Sequence, residues 1–204
     1  MAETLRELGH VKLTQVQPAG LIIDTSSGST YDPSRRVEVS RLLITPQGIE
    51  ATTPDGERLL DIHHTDHPQT RYLGNDDVSL GFTSHYSAMR ARFGEHMLDG
   101  IAGENIIVEY EDEIWLEDLG QKIAIVNSET GRSTLLDVKS CAAPCEEFGH
   151  YAIRSQPERL PADKLKATLQ FLGNGRRGFL LVLGDGQASA EVQPGDRVVV
   201  VGAG

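Results

Sequence analysis

Glycine and proline break this sequence at short intervals. The 204 residues include 21 Gly and 9 Pro, and the apolar stretches between them run to roughly four to eight residues, the length of strands bounded by turns. The candidate strands are Val11–Val16, Val37–Ile44, Asn105–Tyr110, Lys122–Val126, Thr134–Val138, Gly178–Leu183 and Arg197–Val201. Val37-Glu38-Val39-Ser40 alternates as a half-buried strand does, whereas Phe179–Leu183 and Val198–Val201 are apolar throughout and are expected to be covered on both faces, as in a closed barrel. Gln193-Pro194-Gly195-Asp196 predicts a type II turn before the last strand. Helices are few. Ser84–Met97 places Tyr86, Met89, Phe93 and Met97 on one face, with Ser84 or Thr83 as N-cap. Asp163–Leu172 groups Leu165, Leu169 and Leu172, with Asp163 as cap and Gly173 as stop. Core packing is the simplest use of these side chains.

The length suits one domain, residues 1–204, with 1–34 read as an N-terminal strand and loop. Such a domain buries roughly 70% of its unfolded surface and needs no disulfide to fold. The net charge of −11 disfavours nucleic acid and anionic membrane as partners, and no basic run exceeds the pairs Arg35-Arg36 and Arg176-Arg177. The first residues lack the apolar segment of a signal peptide, and no apolar run could span a bilayer. A cytoplasmic, reduced chain is the expectation for two cysteines in this setting.

Those cysteines lie in Lys139-Ser140-Cys141-Ala142-Ala143-Pro144-Cys145-Glu146-Glu147-Phe148. Two thiols supply only half of a zinc site. Pro144 suits the first position of a helix, which would put Cys145 in its first turn. There the free N–H groups favour a thiolate, while Glu146 and Glu147 oppose it. Burial as a small hydrophobe is the plain alternative for either cysteine. A second candidate is Asp61-Ile62-His63-His64-Thr65-Asp66-His67, where three of the seven histidines fall within five residues. These side chains could bind a metal or anion or move protons, or simply form a polar loop. A third is Gly173-Asn174-Gly175-Arg176-Arg177-Gly178, in which glycine N–H groups and two guanidiniums suit an anion, although the loop is no P-loop.

Taken in order, these pieces resemble the MOSC domain family, named after the C-terminal domain of molybdenum cofactor sulfurase. Gly103-Glu104-Asn105-Ile106 is similar to the family's Gly-Glu-Asn-Leu/Ile signature, and Pro144-Cys145 to its Pro-Cys pair. Gly175-Arg176-Arg177-Gly178-Phe179, Val182-Leu183 and Pro194-Gly195-Asp196-Arg197-Val198 are similar to its closing block. Val78-Ser79-Leu80 ahead of the Tyr86 helix also fits. One departure is plain: Gly48-Ile49-Glu50 is followed by Ala51-Thr52, so the nearest Asp-x-His is Asp61-Ile62-His63.

The resemblance implies a mainly β fold, a closed or partly open barrel with a few short α-helices. It implies a stand-alone member that binds molybdenum cofactor or a sulfur-bearing species. Cys145 would be the catalytic residue and molybdenum ligand, acting in sulfur transfer or in molybdenum-dependent reduction of small N-oxygenated compounds. Glu104, Asn105, Arg176, Arg177, His63 and His64 would bind the cofactor. The expected partners are a small-molecule substrate or a sulfur-donor protein. Pyridoxal phosphate is associated with the family through its fused sulfurase domain and is not expected to bind here. Two other readings stand beside this one: a non-catalytic barrel that binds a ligand or partner and has lost the cofactor, and a metal site at His63, His64 and His67 with hydrolytic activity.

Overall fold

The computed structural model describes residues 5–26, 28–74, 76–155, 161–187 and 189–202. Among these, the strands are β1 (Leu5–Val16), β2 (Ile22–Thr25), β3 (Gly28–Tyr31), β4 (Val37–Val39), β5 (Leu42–Thr45), β6 (Gly48–Thr52), β7 (Arg58–Leu60), β8 (Val78–Phe82), β9 (Ile106–Glu109), β10 (Lys122–Val126), β11 (Ser133–Cys141), β12 (Phe179–Leu183), β13 (Ala190–Val192) and β14 (Arg197–Val201). The helices are α1 (Thr83–Phe93), α2 (Leu116–Leu119), α3 (Glu146–Ala152) and α4 (Ala162–Leu172).

Seven strands close into a barrel in the order β14-β10-β11-β12-β8-β9-β1, with β1 returning to β14. Every neighbouring pair is antiparallel except β8 and β9, which are parallel and joined through α1. Strand β1 makes closure possible. Irregularities at Glu7/Gly9 and Val11/Leu13 bend it, so that it pairs in turn with β14, β9 and β4. Gly9 is required at the first bend: its φ is +109°, and a Cβ there would lie 2.1 Å from the Glu109 carbonyl oxygen.

Alternate residues fill the barrel: Leu80 and Phe82, Ile106 and Val108, Ile123 and Ile125, Phe179 and Leu181, Val198 and Val200. This is the period of two that a half-buried strand imposes. Strand β12 follows it, with Leu180, Val182 and Leu183 only partly buried, so its apolar run is not covered on both faces. A four-stranded sheet, β13-β5-β6-β7, packs Leu42, Ile44, Ile49, Ala51 and Val192 into the same core. Outside the barrel, the β2–β3 hairpin and the helices gather a second apolar cluster around Tyr31, Tyr86, Met89 and Phe148.

Several expected boundaries move. The segment 37–44 is two strands, not one: β4 pairs with β1 and β5 with β6, and exposed Arg41 lies between them, ion-paired to Glu191. Helix α1 stops at Phe93 because Gly94 turns to φ +107°. Neither Ser84 nor Thr83 caps it. Phe82 holds that position, and the Thr83 hydroxyl instead exchanges hydrogen bonds with the Tyr110 backbone. Pro161, not Asp163, precedes α4, and Asp163 sits in the first turn, where the helix dipole favours a carboxylate. Cys145 is the N-cap of α3, two positions earlier than Pro144 as first residue would require, because the helix begins at Glu146. The turn at Gln193–Asp196 is as expected, with Asp196 N–H donating to Gln193 O and Gly195 at φ +93°.

Candidate functional site

The loop from Gly100 to Glu104 carries the polar residues that matter most, and it is clamped from the opposite strand. Gln15 Nε2 donates to the carbonyls of Gly100 and Glu104, at 2.7 and 2.6 Å. Gln17 Nε2 donates to Gly103 O at 2.6 Å. Arg36 ties Gln15 Oε1 to Gly100 O. These bonds fix Glu104 against a cleft of about 200 Å³. Its walls come from distant parts of the chain: Tyr31 from β3, His63, Arg71 and Asp76 from the loop ahead of β8, Ala142 and Ala143 ahead of α3, and Arg177 ahead of β12.

Glu104 is 2% exposed. Tyr86 donates its hydroxyl proton to Oε2 at 2.5 Å, and Oε1 has no hydrogen-bond partner. Burial pushes this carboxyl up to about 7, against the Tyr86 hydrogen bond and the charges of Arg177 and Arg36, which favour the carboxylate. Asn105, next in sequence, turns the other way. Its Oδ1 accepts from Ser79 N–H and hydroxyl, and its Nδ2 donates to Asp61 Oδ2 at 2.9 Å. Asn105 thus acts on the cleft through Asp61. That carboxylate also accepts from the backbone N–H groups of Gln17 and His63, and Oδ1 receives His63 Nδ1 at 3.0 Å.

The pairing with Asp61 makes Nδ1 the protonated nitrogen of neutral His63 and leaves Nε2 facing the cleft, 4.0 Å from Asp76 Oδ2. Burial disfavours the imidazolium. The hydrogen bond and charge of Asp61 and the charge of Asp76 outweigh it and raise His63 above its ordinary range. His64 does not line the cleft. It is 1% exposed, its Nδ1 accepts from Asp66 N–H, and its Nε2 lies 3.4 Å from Glu50. His67 Nδ1 accepts from Gln69 N–H, and its Nε2 donates to Pro18 O. The three imidazoles point to three separate partners. Among the described residues no three His, Cys, Asp or Glu side chains are grouped to hold a metal ion.

The two arginines also part company. Arg176 lies over the rings of Trp115 and Phe171, pairs with Glu113 at 3.0 Å and donates to Phe171 O, all away from the cleft. Arg177 lines the cleft, donates from Nη1 to Ala143 O at 2.6 Å and sits over Phe148. Neither cysteine is in a disulfide. Cys141, on β11, packs against the barrel core, and burial with the charge of Glu117 raises its thiol. Cys145 packs against the outer cluster beside Tyr31; it follows the cleft-lining stretch Ala142-Ala143 after Pro144 and is not itself among the lining residues.

Tyr31, Arg71, Asp76 and Tyr86, the partner of Glu104, were not singled out as site residues from sequence. Tyr86 read as core, which it also is, and Tyr31 lay in the segment read only as an N-terminal strand and loop. Arg71 and Asp76 lie in a polar stretch with no periodicity, and no local signal marks them.

No protein-family model matches the chain, and no curated protein matches it in sequence. Solved structures share its fold. YuaD from Bacillus subtilis aligns over 100% of both chains with a TM-score of 0.55 and 15% identity. YiiM from Escherichia coli aligns over 96% of this chain and 71% of its own, with a TM-score of 0.52 and 14% identity. A hypothetical protein aligns over 95% of this chain and 68% of its own, at TM-score 0.55 and 14% identity. At such identities the likeness is one of fold.

Proposed function

We propose that this protein is a stand-alone MOSC-domain protein whose cleft takes molybdenum cofactor or a related sulfur-bearing species, with Cys145 as the sulfur carrier or molybdenum ligand. One observation carries the reading. The motifs that resemble the family are dispersed over the chain, and one residue or neighbour from each of Gly103-Glu104, Ala143-Pro144-Cys145, Arg177-Gly178 and Asp61-x-His63 meets at a single cleft.

The donor set suits such a ligand. Among the described residues no ion pair engages the guanidinium of Arg71 or Arg177, so both are available to a phosphate. Asp76 offers an acceptor to ring N–H groups. The cleft also continues into a concavity of about 520 Å³ that shares Gly20, Ile22, Ile62 and Arg71 with it, which accommodates an elongated molecule. Soft sulfur from Cys145 matches a molybdenum–sulfur centre. When bound, the cofactor supplies two-electron or sulfur chemistry for small N-oxygenated compounds. The chain's own part is to bind the phosphate through Arg71 and Arg177, to present the Cys145 sulfur, and to hold a proton at His63 Nε2, with Asp61 fixing the ring.

Metal analysis tests this. Protein purified from a host that makes the cofactor should carry molybdenum near one per chain, and Cys145→Ser should lose it. Zinc in its place would favour a histidine metal site. Absence of metal from the wild type would favour a ligand-binding barrel without cofactor.

A further inference from the structure

The inner wall of the cleft holds a carboxyl group whose hydrogen bonding is half complete. Tyr86 hydroxyl accepts from Ala102 N–H at 3.1 Å and donates its single proton to Glu104 Oε2. A proton carried by Glu104 therefore belongs on Oε1, the oxygen with no partner. The side chain has little room to leave. A Cβ at Gly81 would lie 2.8 Å from Oε1, and one at Gly178 would lie 2.7 Å from Cγ, so the carboxyl occupies a slot kept open by two glycines. A buried O–H without an acceptor is costly, and a ligand that supplies the acceptor recovers that cost.

We propose that the inner end of this cleft is a proton-coupled oxyanion site, in which Glu104 in its acid form donates from Oε1 to a tetrahedral oxyanion whose charge Arg177 and Arg71 offset. The inference uses the two guanidiniums that the cofactor reading assigns to a phosphate, but its test needs no cofactor. The charges around Glu104 favour an anion over a cation. Tyr86 faces it from α1, Arg177 from the loop before β12, Tyr31 from β3 and Arg36 from ahead of β4, with the Cys145 thiol beyond Tyr31. His63, Arg71 and Asp76 are the other titratable side chains that line the cleft. A cation would meet three arginines, Arg36, Arg71 and Arg177, and the His63 ring. An anion meets Asp76 and a carboxyl that titrates at about 7, and binding draws that carboxyl to its neutral form.

Sulfate is the probe, because it does not itself titrate near neutrality. Calorimetry on the purified protein should show binding that weakens about thirtyfold from about pH 6 to about pH 8.5, as the acid form of Glu104 is depleted. Near neutrality, two buffers of different ionisation enthalpy should report proton uptake on binding. Glu104→Gln keeps a donor at this oxygen and should bind sulfate equally at both pH values with no uptake by this group. Arg177→Ala should bind weakly at both. Wild-type affinity that ignores pH overturns the proposal, and so does pH dependence that survives in Glu104→Gln, which would belong to His63. A measurement on the wild type guards against a misfolded variant: the glutamate carboxyl 13C resonance that titrates near 7 should move upward by more than about one unit with saturating sulfate. A resonance that does not move contradicts the site. Methanesulfonate separates two sources of the anion: binding as tight as sulfate supports a site for the anionic end of a larger molecule, and binding of sulfate alone supports a site for a free oxyanion.

Discussion

At position 104 a carboxyl group lies buried, 2% exposed, at the inner wall of the cleft, and the folded chain is less stable for ionising it. Its folded-state value is raised from 4.5 to about 7. Stability from the acid form is therefore fully present below the ordinary carboxyl range, falls as pH rises from there, and is lost above about 7. The shift is equivalent to something on the order of 3 kcal/mol. Urea unfolding of wild type and Glu104→Gln across this range should show the wild type losing stability relative to the variant by an amount of that order. Parallel curves would mean that the Glu104 carboxyl titrates alike in the folded and the unfolded chain. Gly178 should be just as intolerant. Its φ is +97°, and a Cβ would meet Leu80 O at 2.8 Å as well as Glu104, so Gly178→Ala should cost about 2–4 kcal/mol in the same assay. The cysteines differ too. Cys141 lies in a strand with its thiol raised by burial, whereas Cys145 lies at a helix start. Alkylation near neutral pH, followed by peptide mapping, should therefore label Cys145 first; earlier labelling of Cys141 would move the candidate nucleophile.

At the level of elements, the loop between α4 and β12 places its two arginines on opposite duties. Arg176→Ala loses an ion pair, a backbone hydrogen bond and two ring contacts and should cost about 1–3 kcal/mol in unfolding, with the cleft unaffected. Arg177→Ala should stay within about 1 kcal/mol of wild type and still lose anion affinity. The reverse pattern would mean that the guanidiniums exchange places in solution. The sequence made this loop visible but not the division of labour, because adjacent residues after a left-handed turn point wherever tertiary packing sends them. The same limit explains the rest. Strands β10 and β14 were legible to the residue, since each is an uninterrupted apolar run between turns. Strands β2, β3, β6, β7 and β13 were missed because they are short, and partly polar. Asp61 and His63 could be seen as a pair, but their hold on the cleft depends on Asn105, forty-four residues later in the chain and joined to Asp61 across the fold.

Over the whole molecule, a closed barrel supplies rigidity, and the site is assembled outside it from loops that only the fold brings together. No helix of the described residues is long and apolar enough to cross a membrane. The barrel order, the clamped Gly100–Glu104 loop and the convergence of four motif segments on one cleft are the basis for placing cofactor chemistry there. The order of the motifs was legible because each is a short local string; their convergence was not, because it depends on how β1 bends and on which strands it pairs with. The most direct measurement is anomalous diffraction at the molybdenum edge from crystals of protein purified from a host that makes the cofactor. The account predicts one molybdenum peak at Cys145 Sγ, beside the wall formed by Ala142 and Ala143. A peak at His63, His64 or His67, or no molybdenum peak at all, would contradict it.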